Sequence, residues 1–250
     1  GIYAAGKLDS YRNWVVALDR SDVLRILDLA FSSEGLIKGD RLIETLKLMV
    51  GEHRIEDLPI SYTAVATDLA RQREVWLTEG PLFDAIRASI AIPTIFTPHA
   101  CKGMKLLDGG MLNPVPIAPT FKDMPDLTVA VNLNASRSKS DTAAIKKIQH
   151  KENKETEGYR RYIKEFLDRF QDGPAAEHKS KLGLLELLGS SFETMQNAIA
   201  AVKLAAYQPD IVIEIPRDTC ASFEFFRAKE VIEVGYQTAA KVIPRKLKAE

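Results

Sequence analysis

Leu106-Leu107-Asp108-Gly109-Gly110-Met111-Leu112-Asn113-Pro114-Val115-Pro116 carries an apolar run into one carboxylate and then into the only adjacent glycine pair of the chain. A strand over Met104 to Leu107 would deliver Asp108 to its end. Gly109 and Gly110 would let the backbone turn sharply and pass close to another group. Asn113, Pro114 and Pro116 stiffen the exit from that turn, because proline fixes φ and removes a backbone donor. The commoner use of an Asp-Gly dipeptide is a turn between two strands. A single acid held at the rim of a sheet is the sharper alternative.

Outward from that stretch, helical and extended patterns alternate. Tyr11, Trp14, Val15 and Leu18 sit at helical spacing, and Ser21 is the expected cap of a second helix carrying Val23 to Leu29. Gly35 to Gly39 reads as a loop before a helix capped by Asp40. Ile60 to Thr67 and Glu74 to Leu77 have strand composition. Pro81 opens a helix through Ser89-Ile90, and Pro93 ends it by pushing Ile92 into an extended conformation. Leu127 to Leu133 reads as a buried strand. Leu182 to Tyr207 is an amphipathic helix, Ile211 to Pro216 a strand and Arg227 to Val242 a last helix. The alternation predicts an α/β sheet covered on both faces, parallel or mixed. Residues 136–178 are charged and polar, with acids and bases interspersed, and are expected to be a charged insertion or mobile segment. The opening Gly1 to Gly6 reads as the last turn of a helix closed by Gly6, as though sequence had been cut away upstream.

The totals exclude several classes. Hydrophobic residues make up 46% of 250, enough for one large core. Lys plus Arg (34) equals Asp plus Glu (34), so no global field favours nucleic acid as a partner. No apolar run approaches the ~18 residues of a bilayer span, and no signal peptide is visible. Cys101 and Cys220 have no metal or redox spacing and suit a reducing, cytoplasmic compartment. His53, His99, His150 and His178 show no paired spacing, so no metal is expected. Dinucleotide and phosphate-loop fingerprints are missing too, so no cofactor is expected.

A serine nucleophile of the elbow type needs Gly-X-Ser-X-Gly. The only glycines four apart are Gly35 and Gly39, with Ile37 between them. His99 is near Asp108 in sequence, but an ordinary loop histidine is the better assignment. Ser89, followed by Pro93, is placed at the rim of an Asp108 site. A helix interior does not expose a nucleophile, so packing or capping is its expected role.

Several segments in a shared order resemble the patatin-like phospholipase family, in its bacterial branch similar to the catalytic domain of neuropathy target esterase. They are Tyr3-Ala4-Ala5-Gly6-Lys7, Gly35 to Asp40, Ala66-Thr67-Asp68-Leu69 and Arg73 to Gly80. Ala88 to Pro93, Leu107 to Gly110 with Asn113 to Pro116, Met195-Gln196 and Pro209 to Glu214 complete the set. The resemblance implies a three-layer α/β/α sandwich with a mainly parallel central sheet, as a single domain over residues 1–250. It implies a lipid acyl hydrolase with a Ser–Asp dyad and no histidine. Asp108 is then the dyad base, supported by Gly109, Gly110, Asn113 and Pro114 in the motif. The resemblance also implies that the first strand, the oxyanion loop and the elbow precede Gly1, with the serine roughly seven residues before it. By that mechanism these 250 residues alone are expected to be inactive.

Two functions are expected on these grounds. The first is a serine phospholipase or lysophospholipase acting on a lipid or fatty-acyl ester. The second is a non-catalytic lipid-binding or regulatory relative that keeps Asp108. Peripheral membrane contact is a separate expectation, carried by Leu182, Leu184, Leu185, Leu187 and Leu188. Packing of that stripe as a core helix is the commoner use of such periodicity.

Overall fold

In the computed structural model, residues 1–32, 35–135, 175–220 and 224–247 are described. Most of the charged segment, residues 136–174, therefore lies outside the described residues.

Gly1 to Gly6 form a helical turn. Gly6 closes it at φ +69°, with Lys7 N–H donating to Ile2 O (3.0 Å) and Gly6 N–H to Tyr3 O (2.8 Å). These are the paired bonds of a Schellman stop. Helix α1 (Leu8–Ala17) and α2 (Arg20–Ile26) follow. Asp19, not Ser21, caps α2: its carboxylate accepts the Asp22 N–H while Asp22 returns the bond to the Asp19 N–H. A carboxylate two residues earlier reaches the free amides better than the predicted serine hydroxyl.

Leu29 leaves the predicted helix for strand β1 (Leu29–Ser32), and the predicted loop at Gly35 holds β2 (Gly35–Ile37). Helix α3 (Asp40–Val50) starts at Asp40, but its free amides are satisfied from elsewhere. Asp28 accepts from the N–H groups of Gly39 (2.6 Å), Asp40 (2.8 Å) and Arg41 (3.2 Å). A negative group at a helix N-terminus is doubly favoured there, by hydrogen bonding and by the macrodipole.

Strands β3 (Ala64–Asp68) and β4 (Arg73–Leu77) precede α4 (Leu82–Ser89). Then come β5 (Thr94–Phe96), β6 (His99–Cys101) and β7 (Met104–Asp108). The remaining elements are β8 (Val129–Ala135), α5 (Ala175–Tyr207), β9 (Ile211–Pro216) and α6 (Ala228–Leu247).

The mainly parallel sheet is not what the described strands form. β4-β3-β7-β6 is antiparallel throughout, β1-β2-β5 is mixed, and only β8-β9 is wholly parallel. Connection length is the cause. Four residues join β3 to β4, and Lys102-Gly103, both at positive φ, join β6 to β7. Links that short can only reverse the chain, whereas parallel neighbours need a long crossover.

Helices cover the sheets where apolar positions demand it. Leu82, Ala85 and Ala88 of α4 pack on Ala64, Ala66 and Leu106 of β3 and β7. Phe83, on the opposite side of α4, joins Ile43, Leu46 and Val50 of α3. Around β8-β9 the local order is helix, sheet, helix. Ala130 packs with Ala200 of α5, while Ile211, Ile213 and Ile215 pack under α6. Ala130 stands opposite Val212 in register, so these sets face opposite sides. The predicted buried strand at Leu127 to Leu133 is buried only on alternate positions. Val129, Val131 and Leu133 of β8 are exposed, because α6 covers β9 without extending across this edge of its neighbour.

Leu82 has no exposed surface, whereas Leu48 on α3 is 86% exposed. Leu82→Ala is expected to cost about 3 kcal/mol of unfolding free energy in a urea titration. Leu48→Ala should stay within about 0.5 kcal/mol. Equal losses at both positions would contradict the packing of α4 on β3 and β7.

Candidate active site

The acid at the end of β7 is fixed by its backbone before its side chain acts. Leu106 and Leu107 are buried in the core, and Asp108 pairs with Ala66 of β3. The Asp108 N–H donates to Ala91 O at 3.0 Å, just beyond α4. Its own carbonyl accepts the Thr67 hydroxyl at 2.9 Å. Two segments, β3 and the stretch after α4, thus hold one residue, and the Asp108 backbone has little freedom.

Gly109 follows because nothing larger fits. A β-carbon there would lie 2.2 Å from Val65 O, inside a backbone group that cannot yield. The chain then enters a short 3-10 turn, Gly109–Met111. Its first free amide, Gly110 N–H, donates to Asp108 Oδ1 at 2.6 Å. Asn113 N–H closes the turn by donating to Gly109 O at 2.9 Å.

Asn113 is 2% exposed, and its side-chain N–H donates to Glu74 Oε2 at 2.9 Å. Glu74 also accepts from Trp76 Nε1 at 3.1 Å and from Lys203 Nζ at 2.8 Å. One carboxylate therefore joins β4, the loop after Asp108 and the long helix α5. Burial alone would raise the Glu74 pKa, but the bonds from Lys203, Trp76 and Asn113 outweigh it and hold it below the ordinary value. Pro114 is half-buried and Pro116 exposed, on either side of Val115, which enters the core with Ile117.

Electrostatically the half-buried Asp108 differs from Asp68, the fully buried acid of this sheet. Asp68, in β3, anchors the hairpin through the Ala70 and Arg71 N–H groups and the Arg71 guanidinium at 2.8 Å. Those bonds lower its pKa. Among the described residues, no cation stands beside Asp108. Burial pushes its pKa up to about 6, against the one opposing bond from Gly110. A carboxyl near neutrality at a sheet end is suited to taking and returning a proton.

The other sequence candidates divide. Ser89 is half-buried at the end of α4, two residues before the carbonyl that takes the Asp108 N–H, with Pro93 two residues beyond. Both lie on the segment that borders the acid. His99, on β6, stands in register with Leu106 and has Arg87, Asp84 and Asp40 as its charged surroundings, not Asp108. Arg87 is buried and straps two turns together by donating to the carbonyls of Lys38 and Thr97. Among the described residues, no three His, Cys, Asp or Glu side chains stand together as metal ligands. Open clefts among the described residues include two of about 350 and 310 Å³. One lies by Tyr11, Cys220 and Phe225, the other by Trp14, Asp22 and Arg25, and no residue of the Asp108 turn lines either.

Glu74 and Lys203 were not singled out by sequence reasoning. They are 129 positions apart, and no local pattern connects them. The one available signal was helical spacing: Gln196, Ala200, Lys203 and Tyr207 share a face of α5.

A family model of patatin-like phospholipases matches residues 2–121, which include the Asp108 turn. Along most of its length the chain is also similar to an uncharacterized NTE family protein of Mycobacterium tuberculosis (strain H37Rv). The two are 34% identical over 287 aligned residues, covering 97% of this chain and 79% of that protein. The chain belongs to the patatin-like phospholipase family. A Mycobacterium bovis NTE family protein matches equally well. A patatin-like phospholipase domain-containing protein of Caenorhabditis elegans is 34% identical over 95 residues, 37% of this chain and 7% of that protein. Asp108, Gly109 and Gly110 therefore lie inside the patatin-like segment, whereas Lys203 and Gln196 lie beyond the family-model match and within the NTE family protein's coverage.

The raised pKa of Asp108 has a signed consequence for stability. The folded chain holds this proton more tightly than the unfolded chain, whose carboxyl titrates near 3.8. The favourable neutral state is fully present below about pH 4 and is lost as the pH rises through about 6. Asp108→Asn is uncharged throughout and should gain stability relative to the parent across that window. Urea midpoints of both proteins from about pH 4 to about pH 7 check this, and parallel pH curves would contradict it.

Proposed function

We propose that the protein is a serine lipid acyl hydrolase of phospholipase or lysophospholipase type, with Asp108 as the base of a Ser–Asp dyad. The observation that carries this reading is the Asp108 turn. It is a half-buried carboxyl with its pKa raised to about 6, locked by Ala91 and Thr67 and followed by a glycine that no other residue could replace. The nucleophile of such a dyad is the serine of a Gly-X-Ser-X-Gly elbow, a motif that these 250 residues do not contain. Its hydroxyl proton passes to Asp108 as the oxygen attacks the ester carbonyl. The protonated acid then returns the proton to the leaving alcohol, and water releases the acyl group by the same base. A carboxylate is a weaker base than imidazole, so burial that raises its proton affinity serves the reaction directly.

The proposed fold is the three-layer sandwich of the family as one domain, with residues 136–178 as an insertion. The helix-sheet-helix order at β8-β9 supports it. Cys101 and Cys220 are unpaired, which supports a cytoplasmic setting. Lipid ester is the proposed partner, and the balanced charge argues against nucleic acid.

Asp108→Asn in the full-length protein is expected to lower phospholipid or lysophospholipid ester hydrolysis on the order of a thousand-fold. An unchanged rate would overturn the dyad. Lipid binding without hydrolysis by the parent protein would favour a non-catalytic module.

Contact with a lipid surface is proposed for α5. No helix among the described residues is long and apolar enough to cross a membrane. The side chains of Leu182, Leu184 and Leu185 lie outside the described set. Leu187 and Leu188 are 63% and 48% exposed, so this part of the stripe is not packed as core. The double variant Leu187→Asp and Leu188→Asp should reduce co-sedimentation with phospholipid vesicles several-fold. Unaltered co-sedimentation would remove these leucines from the contact.

A further inference from the structure

The face of α5 turned towards the acid carries one polar group that the dyad does not use. Ala200, on that face, is buried against Val115, Ile117 and Ala130. Lys203 bonds Glu74, and Tyr207 meets Phe121 edge-on with ring centroids 5.6 Å apart. Three anchors therefore fix the helix along the segment that leaves the Asp108 turn. One turn before Ala200, on the same face, is Gln196.

Gln196 reaches the acid across Gly110. The position a β-carbon on Gly110 would take lies 2.5 Å from Gln196 Nε2 and 2.7 Å from Asp108 Oδ1. Amide and carboxylate thus border the same small space, which is open because residue 110 has no side chain. A carboxylate oxygen only accepts hydrogen bonds, so the amide end that suits this neighbour is the NH₂.

We propose that Gln196 is a positioning residue of the Asp108 site, its amide N–H closing on Oδ1 when the acid ionises. Gly110 N–H already holds Oδ1. A second donor on that oxygen leaves Oδ2 as the oxygen open to the serine proton. The role also gives Gly110 a reason distinct from that of Gly109. Gly109 makes room for a backbone, and Gly110 makes room for an interaction between two side chains. The assignment rests on Asp108 being the base.

The other groups around Asp108 do not offer this function. β3 contributes the Thr67 hydroxyl, which is bound to the backbone carbonyl, and Asp68, which is engaged by Arg71. The segment after α4 contributes the Ala91 carbonyl. Lys203 on α5 is held by Glu74, and on β6 His99 has Arg87 and two acids around it. Burial and the Gly110 N–H are the influences on the Asp108 carboxyl.

The test is a carboxyl-carbon NMR titration of the ¹³C-aspartate-labelled chain, with Asp108→Asn assigning the signal. Gln196→Met keeps length and helix propensity but removes the donor. It should raise the Asp108 midpoint by about one unit. Gln196→Glu places a second acid there and should raise it further. Gln237→Met, on α6, should leave it unmoved. A midpoint unchanged in both Gln196 variants overturns the proposal. In the full-length enzyme the acid limb of the kcat profile should move with the NMR midpoint in Gln196→Met. A uniform loss at every pH, with no shift, would mean that Gln196 is merely structural and would also overturn it. The dyad is judged separately. If Asp108→Asn keeps full activity while the midpoint still shifts, the contact stands and the catalytic reading of Asp108 fails.

Discussion

The carbonyl of Val65 occupies the space that any side chain on residue 109 would need. That contact sets how closely the end of β7 can lie along β3, and the rest of the site depends on it. With Gly109 in place, Ala66 and Asp108 come into register, Thr67 reaches the Asp108 carbonyl and the chain turns at once into its 3-10 segment. Any larger residue would push β7 outward by the dimension of a methyl group. Close-packed interiors do not absorb such a displacement locally. The acid would then lose its alignment with the Ala91 carbonyl on the far side.

A second layer of constraint comes from charge. Glu74 is half-buried and would be costly without partners, yet it receives three donors from three elements. Each donor shares in offsetting the desolvation of the carboxylate, and breaking one leaves the others attached to a poorly compensated charge. The result is a node that joins α5 to the loop carrying Asn113. Asp108 has the opposite arrangement, with burial, one amide and, among the described residues, no cation. Two acids on strands that flank β3 are thereby given different proton affinities, one lowered by its donors and one raised by burial. Divergence of this kind separates a structural carboxylate from one available to accept a proton.

Much of the fold was legible locally. The α4 pattern opened by Pro81, the strand leading to Asp108, the helical turn closed by Gly6 and the final strand and helix all have short-range signatures. The structure places these elements there. The short strands β1, β2, β5 and β6 were missed because three- and four-residue segments have too little periodicity to separate strand from loop. The caps of α2 and α3 were misplaced for a different reason. Several residues near each start could cap it, and only the path of the chain brings Asp28 to the second. Strand direction was not legible either, since a buried apolar run looks alike in parallel and antiparallel sheets.

By itself the sequence determined the positions where only one residue type can serve. Asp108 followed by two glycines and a proline-stiffened exit marked the turn, because glycine and proline act through backbone geometry that is local to the chain. Tertiary structure alone decided what surrounds that turn. The carbonyl that makes Gly109 obligatory comes from a strand more than forty residues earlier, and the carboxylate that holds Asn113 is almost as distant. The helix face bearing Gln196 and Lys203 arrives from far along the chain. Burial, proton affinity and hydrogen-bond partners belong to the space around a residue, and folding assembles that space from segments with no shared local pattern.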